Sequence, residues 1–160
     1  INLICANKMA TQTQTQSGPF FRILVSTDNH IGFKENHHIR GNDSFDAFEE
    51  VLQLAKANRV DFLLLGGDLF HEMSPSQNCL YRSMSLIQKY VFGSGDLTFS
   101  TKGLNGPYPA NYLNENLNID LPIFIIHGNH DYPASSGENI STLDLLQASY
   151  LVNMFAVCLM

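Results

Sequence analysis

The sequence predicts an α/β fold. Three observations carry that prediction: short apolar runs, a polar motif directly after each run, and helix-periodic stretches between them. The runs are Ile23-Leu24-Val25, Phe62-Leu63-Leu64-Leu65 and Ile123-Phe124-Ile125-Ile126. Each has the length of a buried strand and is too continuous for an amphipathic helix. The motifs are Asp28-Asn29-His30, Gly66-Gly67-Asp68 and Gly128-Asn129-His130-Asp131, so each falls at the carboxyl end of a strand. In open α/β sheets ligands bind at that edge, because loops from neighbouring strands converge there on a rigid frame.

Residues 1–18 are expected to form a disordered tail, since Thr11-Gln12-Thr13-Gln14-Thr15-Gln16 is a polar repeat with nothing apolar to bury. Within it residues 1–8 read as translated leader, because Met9-Ala10-Thr11 is a more natural start than Ile1. The ordered unit is expected over residues 19–155, with Arg22 to Thr27 as its first strand. A polar loop through Glu35, His37, His38 and Arg40 follows. Phe45, Phe48, Leu52 and Ala55 then recur at helical spacing, joined by Val51, with Asp43 as a suitable N-cap.

Asp61 opens the second strand. Ser74 as N-cap, Pro75 at the first helical position and Gln77 as capping-box partner predict the next helix, whose apolar stripe is Leu80, Met84, Ile87 and Val91. From Gly93 to Asp120 the residues Gly103, Gly106, Pro107 and Pro109 forbid a regular element. A connection that long predicts a functional or interaction loop. Pro122 to His127 makes a third strand, Ser141 caps a short helix over Leu143 and Leu146, and Leu151 to Phe155 reads as a fourth strand. The order βαβαβαβ implies layers joined by right-handed crossovers. Residues 156–160 read as a truncated or aberrant end.

At 160 residues and 44% hydrophobic content the chain can bury one core. Its net charge of −6 and sequence pI near 5.3 have the wrong sign for a domain that holds DNA by a basic surface. Cys5, Cys79 and Cys158 show no metal-ligand or disulfide spacing, which makes a reducing compartment the default. No stretch approaches the roughly 20 apolar residues of a membrane span, so no membrane partner is expected.

The chemistry lies in the three motifs. Asp28 and His30, two residues apart at a strand end, can project to one side and chelate one ion. Asp68 follows two glycines that permit a tight turn and an uncluttered approach to a phosphate. A carboxylate there can bridge two ions about 3.5–4 Å apart, the separation used in two-metal phosphoryl transfer. Asn129 offers a neutral amide oxygen to the second ion, which leaves His130 free for proton transfer. Mixed carboxylate, amide and imidazole donors fit manganese, iron or zinc better than calcium, and manganese is the expected cofactor.

Taken singly, the motifs have plainer explanations. Asp28-Asn29-His30 alone is a turn sequence, and Gly66-Gly67-Asp68 alone suits many loops. It is the three together, in order and each at a strand end, that point to a site. His37 and His38 are expected to be solvent-exposed and His127 to be packed and hydrogen-bonded. His71 shares the loop of Asp68. Asp131 either orients His130 or caps the turn.

Four longer segments carry a family resemblance: Leu24 to Gly32, Arg40 to Phe45, Gly66 to His71 with Pro75-Ser76, and Ile126 to Pro133. They resemble the calcineurin-like metallophosphoesterase superfamily and, within it, the meiotic recombination eleven (Mre/SbcD-type) nucleases of double-strand-break repair. The resemblance covers about Phe20 to Phe155. It implies the N-terminal part of a metallophosphoesterase domain, with βαβ layers in a truncated β-sandwich flanked by helices. By the same resemblance Asp28, His30 and Asp68 bind a first manganese, and Asp68 and Asn129 hold a second. His130 steadies the transition state and protonates the departing 3′ oxygen, while His71 positions the scissile phosphate, chiefly for exonuclease action. Gly67, Gly128 and Asp131 support the site.

The implied activity is 3′–5′ exonuclease and single-strand endonuclease, located in the nucleus. The implied partners are DNA ends, an ABC-type ATPase subunit, a phosphopeptide-binding adaptor and a second copy of the chain. The helix from Pro75 and the Gly93 to Asp120 loop match regions used for dimer and adaptor contacts. Family members also supply metal-binding histidines beyond the Gly-Asn-His-Asp motif, and here no histidine follows His130. The expectation is therefore a polypeptide inactive alone. The alternatives are a related phosphoesterase acting on other substrates and a noncatalytic fragment that only dimerises or binds the adaptor.

Overall fold

The computed structural model describes residues 2–5, 20–97, 99, 109–132 and 140–154. Its frame is one parallel sheet of β1 (Asn2–Cys5), β2 (Arg22–Ser26), β3 (Phe62–Leu65), β4 (Ile123–Ile125) and β5 (Asn153–Met154), in that spatial order. Between the strands run α1 (Asp43–Ala57), α2 (Gln77–Val91) and α3 (Thr142–Ala148). The expected alternation is therefore present, with one addition. Asn2–Cys5, assigned from sequence to a disordered tail, pairs in parallel with β2 from Asn2 opposite Arg22 to Cys5 opposite Val25. Its backbone occupies an edge that β2 would otherwise leave unpaired. The Thr/Gln repeat and residues 156–160 lie outside the described residues, as does the Gly103 to Pro107 part of the long loop. Within the rest of that loop Asn111–Leu113 forms a turn of 3-10 helix.

Strand order equals chain order. Right-handed crossovers then carry all three helices to one face of the sheet. That face holds the core, where Leu24, Leu63, Leu65, Ile123 and Ile125 pack with Phe45, Phe48, Leu52 and Ala55 of α1, Ile87 and Val91 of α2, and Leu143 and Leu146 of α3. The alternate strand positions Ile23, Val25, Phe62 and Leu64 are half-buried. On their side Phe124 packs edge-on to Phe62 at 5.2 Å and to Tyr112 at 6.1 Å. The second sheet of a sandwich has no strand among the described residues.

Two helix starts differ from expectation by a residue or two, each for a visible reason. The N-cap of α1 is Asn42 rather than Asp43. Asp43 is drawn to the Arg40 guanidinium at 2.8 Å, and the Asn42 amide oxygen accepts from Arg82 at 2.9 Å, so neither side chain caps the helix. The N-cap of α2 is Ser76 rather than Ser74: its hydroxyl accepts from the Cys79 N–H at 3.0 Å and donates to Glu35 at 2.9 Å. With that phase the buried face of α2 is Cys79, Ser83, Ile87 and Val91, while Leu80 and Met84 are only partly buried. Ser141 caps α3 as expected, with Asp144 completing a capping box. Burial and the nearby Glu35 charge push the Cys79 thiol up to about 11. Among the described residues no helix is long and apolar enough to cross a membrane.

Candidate metal centre

The site grows out of the sheet. Beyond β2 and β3 the parallel pairing continues through the motifs themselves: Asp28 N–H donates to Gly67 O at 3.1 Å, His30 N–H to Asp68 O at 3.0 Å and Ile31 N–H to Leu69 O at 2.8 Å. His71 N–H closes the ladder on Ile31 O at 3.0 Å. The third motif docks from β4, where His130 N–H donates to the Asp68 carboxylate at 2.8 Å. Two glycines make that docking possible. Gly67 has φ +106°, and a Cβ there would stand 2.8 Å from Gly128 Cα. A Cβ on Gly128 would stand 2.2 Å from Asp68 Oδ1.

Asp28, His30 and Asp68 all adopt left-handed backbone, with φ of 54°, 45° and 50°. Each such non-glycine residue costs about 1–3 kcal/mol and persists only where its surroundings enforce it. The shared conformation turns the three side chains toward one another. One ligand atom from each lies within 4.8 Å of the others, with Asp28 exposed, His30 half-buried and Asp68 buried. Asp28 also accepts from the Thr27 hydroxyl at 2.7 Å. His30 buries an Nδ1 that has no hydrogen-bond partner. Two carboxylates and an imidazole are a donor set for a divalent ion, and with the strained backbone and the orphaned nitrogen the residues present fit a metal.

His130 and His71 stand over this cluster. The His130 Nδ1 donates to the His71 carbonyl at 2.6 Å, which leaves Nε2 as the ring atom able to exchange a proton. The two rings stack at 5.7 Å, and Phe33 packs edge-on against His71 at 4.8 Å. Asn129 lies in the same turn, with its side chain exposed.

A profile of the calcineurin-like phosphoesterase family matches residues 21–157 of this chain. The chain belongs to that family. Among curated calcineurin-like phosphoesterase relatives, it is 43% identical over 154 residues to the double-strand break repair protein MRE11 of Homo sapiens, covering 92% of this chain and 22% of that protein. It is 46% identical over 144 residues to MRE11 of Coprinopsis cinerea, covering 82% and 19% respectively. Over 140 residues it is 46% identical to MRE11 of Oryza sativa subsp. japonica, covering 84% and 20%. The chain thus spans about a fifth of the length of the curated relatives it matches.

In this calcineurin-like phosphoesterase the remaining sequence candidates sort cleanly. His37 and His38 are exposed and stack on each other at 5.0 Å. His127 is hydrogen-bonded to the Ser141 hydroxyl at 3.0 Å, as expected. Asp131 closes the turn: its buried carboxylate accepts from Gly128 N–H at 2.9 Å, Leu69 N–H at 3.4 Å and Phe70 N–H at 3.5 Å. It clamps the third loop to the second. Sequence reasoning overlooked Phe33, which carries no charge or motif, and the Ser26 hydroxyl, which donates to the Asn29 amide oxygen at 2.8 Å. That bond leaves a buried Asn29 Nδ2 without a partner beside the site.

Proposed function

We propose that this chain is the N-terminal part of a manganese-dependent DNA nuclease of double-strand-break repair, cutting 3′–5′ from ends and within single strands. The observation that carries the reading is the convergence of Asp28, His30 and Asp68, in strained backbone, at the carboxyl ends of adjacent parallel strands. Membership of the calcineurin-like phosphoesterase family supports the reading, and so do relatives named for double-strand-break repair.

In this reading Asp28, His30 and Asp68 would hold a first manganese, and Asp68 and Asn129 a second. Bound there, the ions would supply Lewis-acid charge to the phosphodiester. His71, steadied by Phe33 and by its stack on His130, orients the phosphate of a DNA end. His130, with Nδ1 fixed on the His71 carbonyl, presents Nε2 to the departing 3′ oxygen and gives it a proton. Gly67 and Gly128 let the second and third loops approach closely enough to bring Asp68 and His130 together. The complete protein acts in the nucleus as a homodimer with an ABC-type ATPase and a phosphopeptide-binding adaptor.

The test sets linear duplex DNA, circular single-stranded DNA and a small chromogenic phosphodiester before the full-length gene product with manganese. Cleavage of both DNA substrates, lost in Asp68→Asn, is expected. Turnover of the small diester alone would assign the domain to another branch of the family.

A further inference from the structure

A second cluster shares His30 with the first. One ring nitrogen each from His30, His71 and His130 lies within 4.8 Å of the others, and the ring centroids stand 5.5, 5.0 and 5.7 Å apart. Three imidazoles on one tetrahedral ion, with zinc–nitrogen bonds of about 2.0–2.1 Å, place their centroids about 5 Å apart. The ring centroids therefore stand near the spacing of a tri-histidine zinc site, while the ring nitrogens, up to 4.8 Å apart, would close by ring rotation to the roughly 3.4 Å that tetrahedral bonds of that length set. Their hydrogen bonding agrees. His130 donates Nδ1 to the His71 carbonyl, the outer contact by which metal-binding histidines fix their tautomer and direct the other nitrogen to the ion. His30 and His71 each bury an Nδ1 with no partner, a cost that turning the ring toward an ion would relieve.

We propose that His30, His71 and His130 form a zinc site distinct from the carboxylate centre and mutually exclusive with it. Imidazole-only sites favour zinc, whereas the Asp28, His30 and Asp68 set suits manganese. Because His30 serves both, an ion held by the three rings withdraws a ligand from the carboxylate centre. On the functional reading above it also engages both histidines that act on DNA, so zinc antagonises manganese. The binding test does not depend on that reading.

The 160-residue chain, stripped of metal with a chelator, is titrated with zinc against a chromogenic competitor, and manganese binding is followed by electron paramagnetic resonance. His71→Ala and His130→Asn should each weaken zinc by at least about tenfold and leave manganese unchanged. Asp28→Asn should weaken manganese and spare zinc. Cobalt bound to the unaltered chain should give the intense visible bands of a four-coordinate site, a readout that needs no variant. Zinc affinity unchanged in both histidine variants, zinc lost as strongly in Asp28→Asn as in His71→Ala, or a weak octahedral cobalt spectrum would each overturn the proposal.

Discussion

Replacing Asp131 by Ala removes the clamp between the second and third loops. The 2.9 Å bond from Gly128 N–H is charge-assisted and worth about 1.5–3 kcal/mol. The bonds from Leu69 and Phe70 N–H, at 3.4 and 3.5 Å, are weaker in themselves. Both residues are buried, at 0% and 1% exposure, so Ala leaves their N–H groups without a partner, and an unmet buried donor costs about 1–3 kcal/mol. The lower ends of these ranges, apt for bonds as long as those from Leu69 and Phe70, set a loss of roughly 3–4 kcal/mol and a fall in the thermal midpoint of roughly 10 °C. Asp131→Asn keeps an acceptor for Gly128 but turns an NH2 toward a donor, so it should lose about half as much. Urea unfolding in metal-free buffer at neutral pH, followed by circular dichroism, measures both variants. A loss below about 1 kcal/mol in Asp131→Ala, or an Asn variant less stable than the Ala one, would refute the clamp.

Three further outcomes are expected. In the full-length protein His130→Asn should cut activity on ends and internal sites by about 10²–10⁴-fold while manganese stays bound, and His71→Ala should depress exonuclease more than endonuclease; steady-state assays beside manganese titration decide. Gly128→Ala sets a methyl against the Asp68 carboxylate and should cost about 1–3 kcal/mol together with manganese affinity, as unfolding and metal titrations would register. Cys79, its thiol pushed up to about 11 by burial, should resist alkylation at pH 8 until the chain unfolds, as peptide mass spectrometry reports. A raised thiol means the folded state holds its proton longer than the unfolded state does. Its contribution is therefore full below the ordinary thiol value and is lost as pH rises toward 11.

Strands β2, β3 and β4 were legible because they lie in continuous apolar runs, and the helix faces of α1 and α3 because their apolar spacing is regular. The caps were less so. Choosing Asn42 over Asp43, and Ser76 over Ser74, depends on Arg40, Arg82 and Glu35, partners that sequence spacing does not rank. The convergence of Asp28, His30 and Asp68 was legible because each residue sits at a strand end. The tri-histidine arrangement was not, since His71 and His130 come from different loops and meet only after Gly67 and Gly128 let those loops touch. Asp131 was open to two readings until its three backbone donors were seen. Asn2–Cys5 was discounted because the low-complexity stretch after it drew the tail boundary too early.

A sheet whose strands neighbour one another in chain order can be laid down as the ribosome delivers it, each new strand adding to the edge left by the last. Domains do generally form from the N-terminus during synthesis, at roughly 5–20 residues per second. On that schedule β2 and β3 bring Asp28, His30 and Asp68 together while the turn bearing His130 is still to emerge. On the proposed metal-binding role, the nascent chain would then be able to capture an ion several seconds before it owns the His130 imidazole. Metal supply during translation, and not only in the finished protein, would then decide which ion the site first meets.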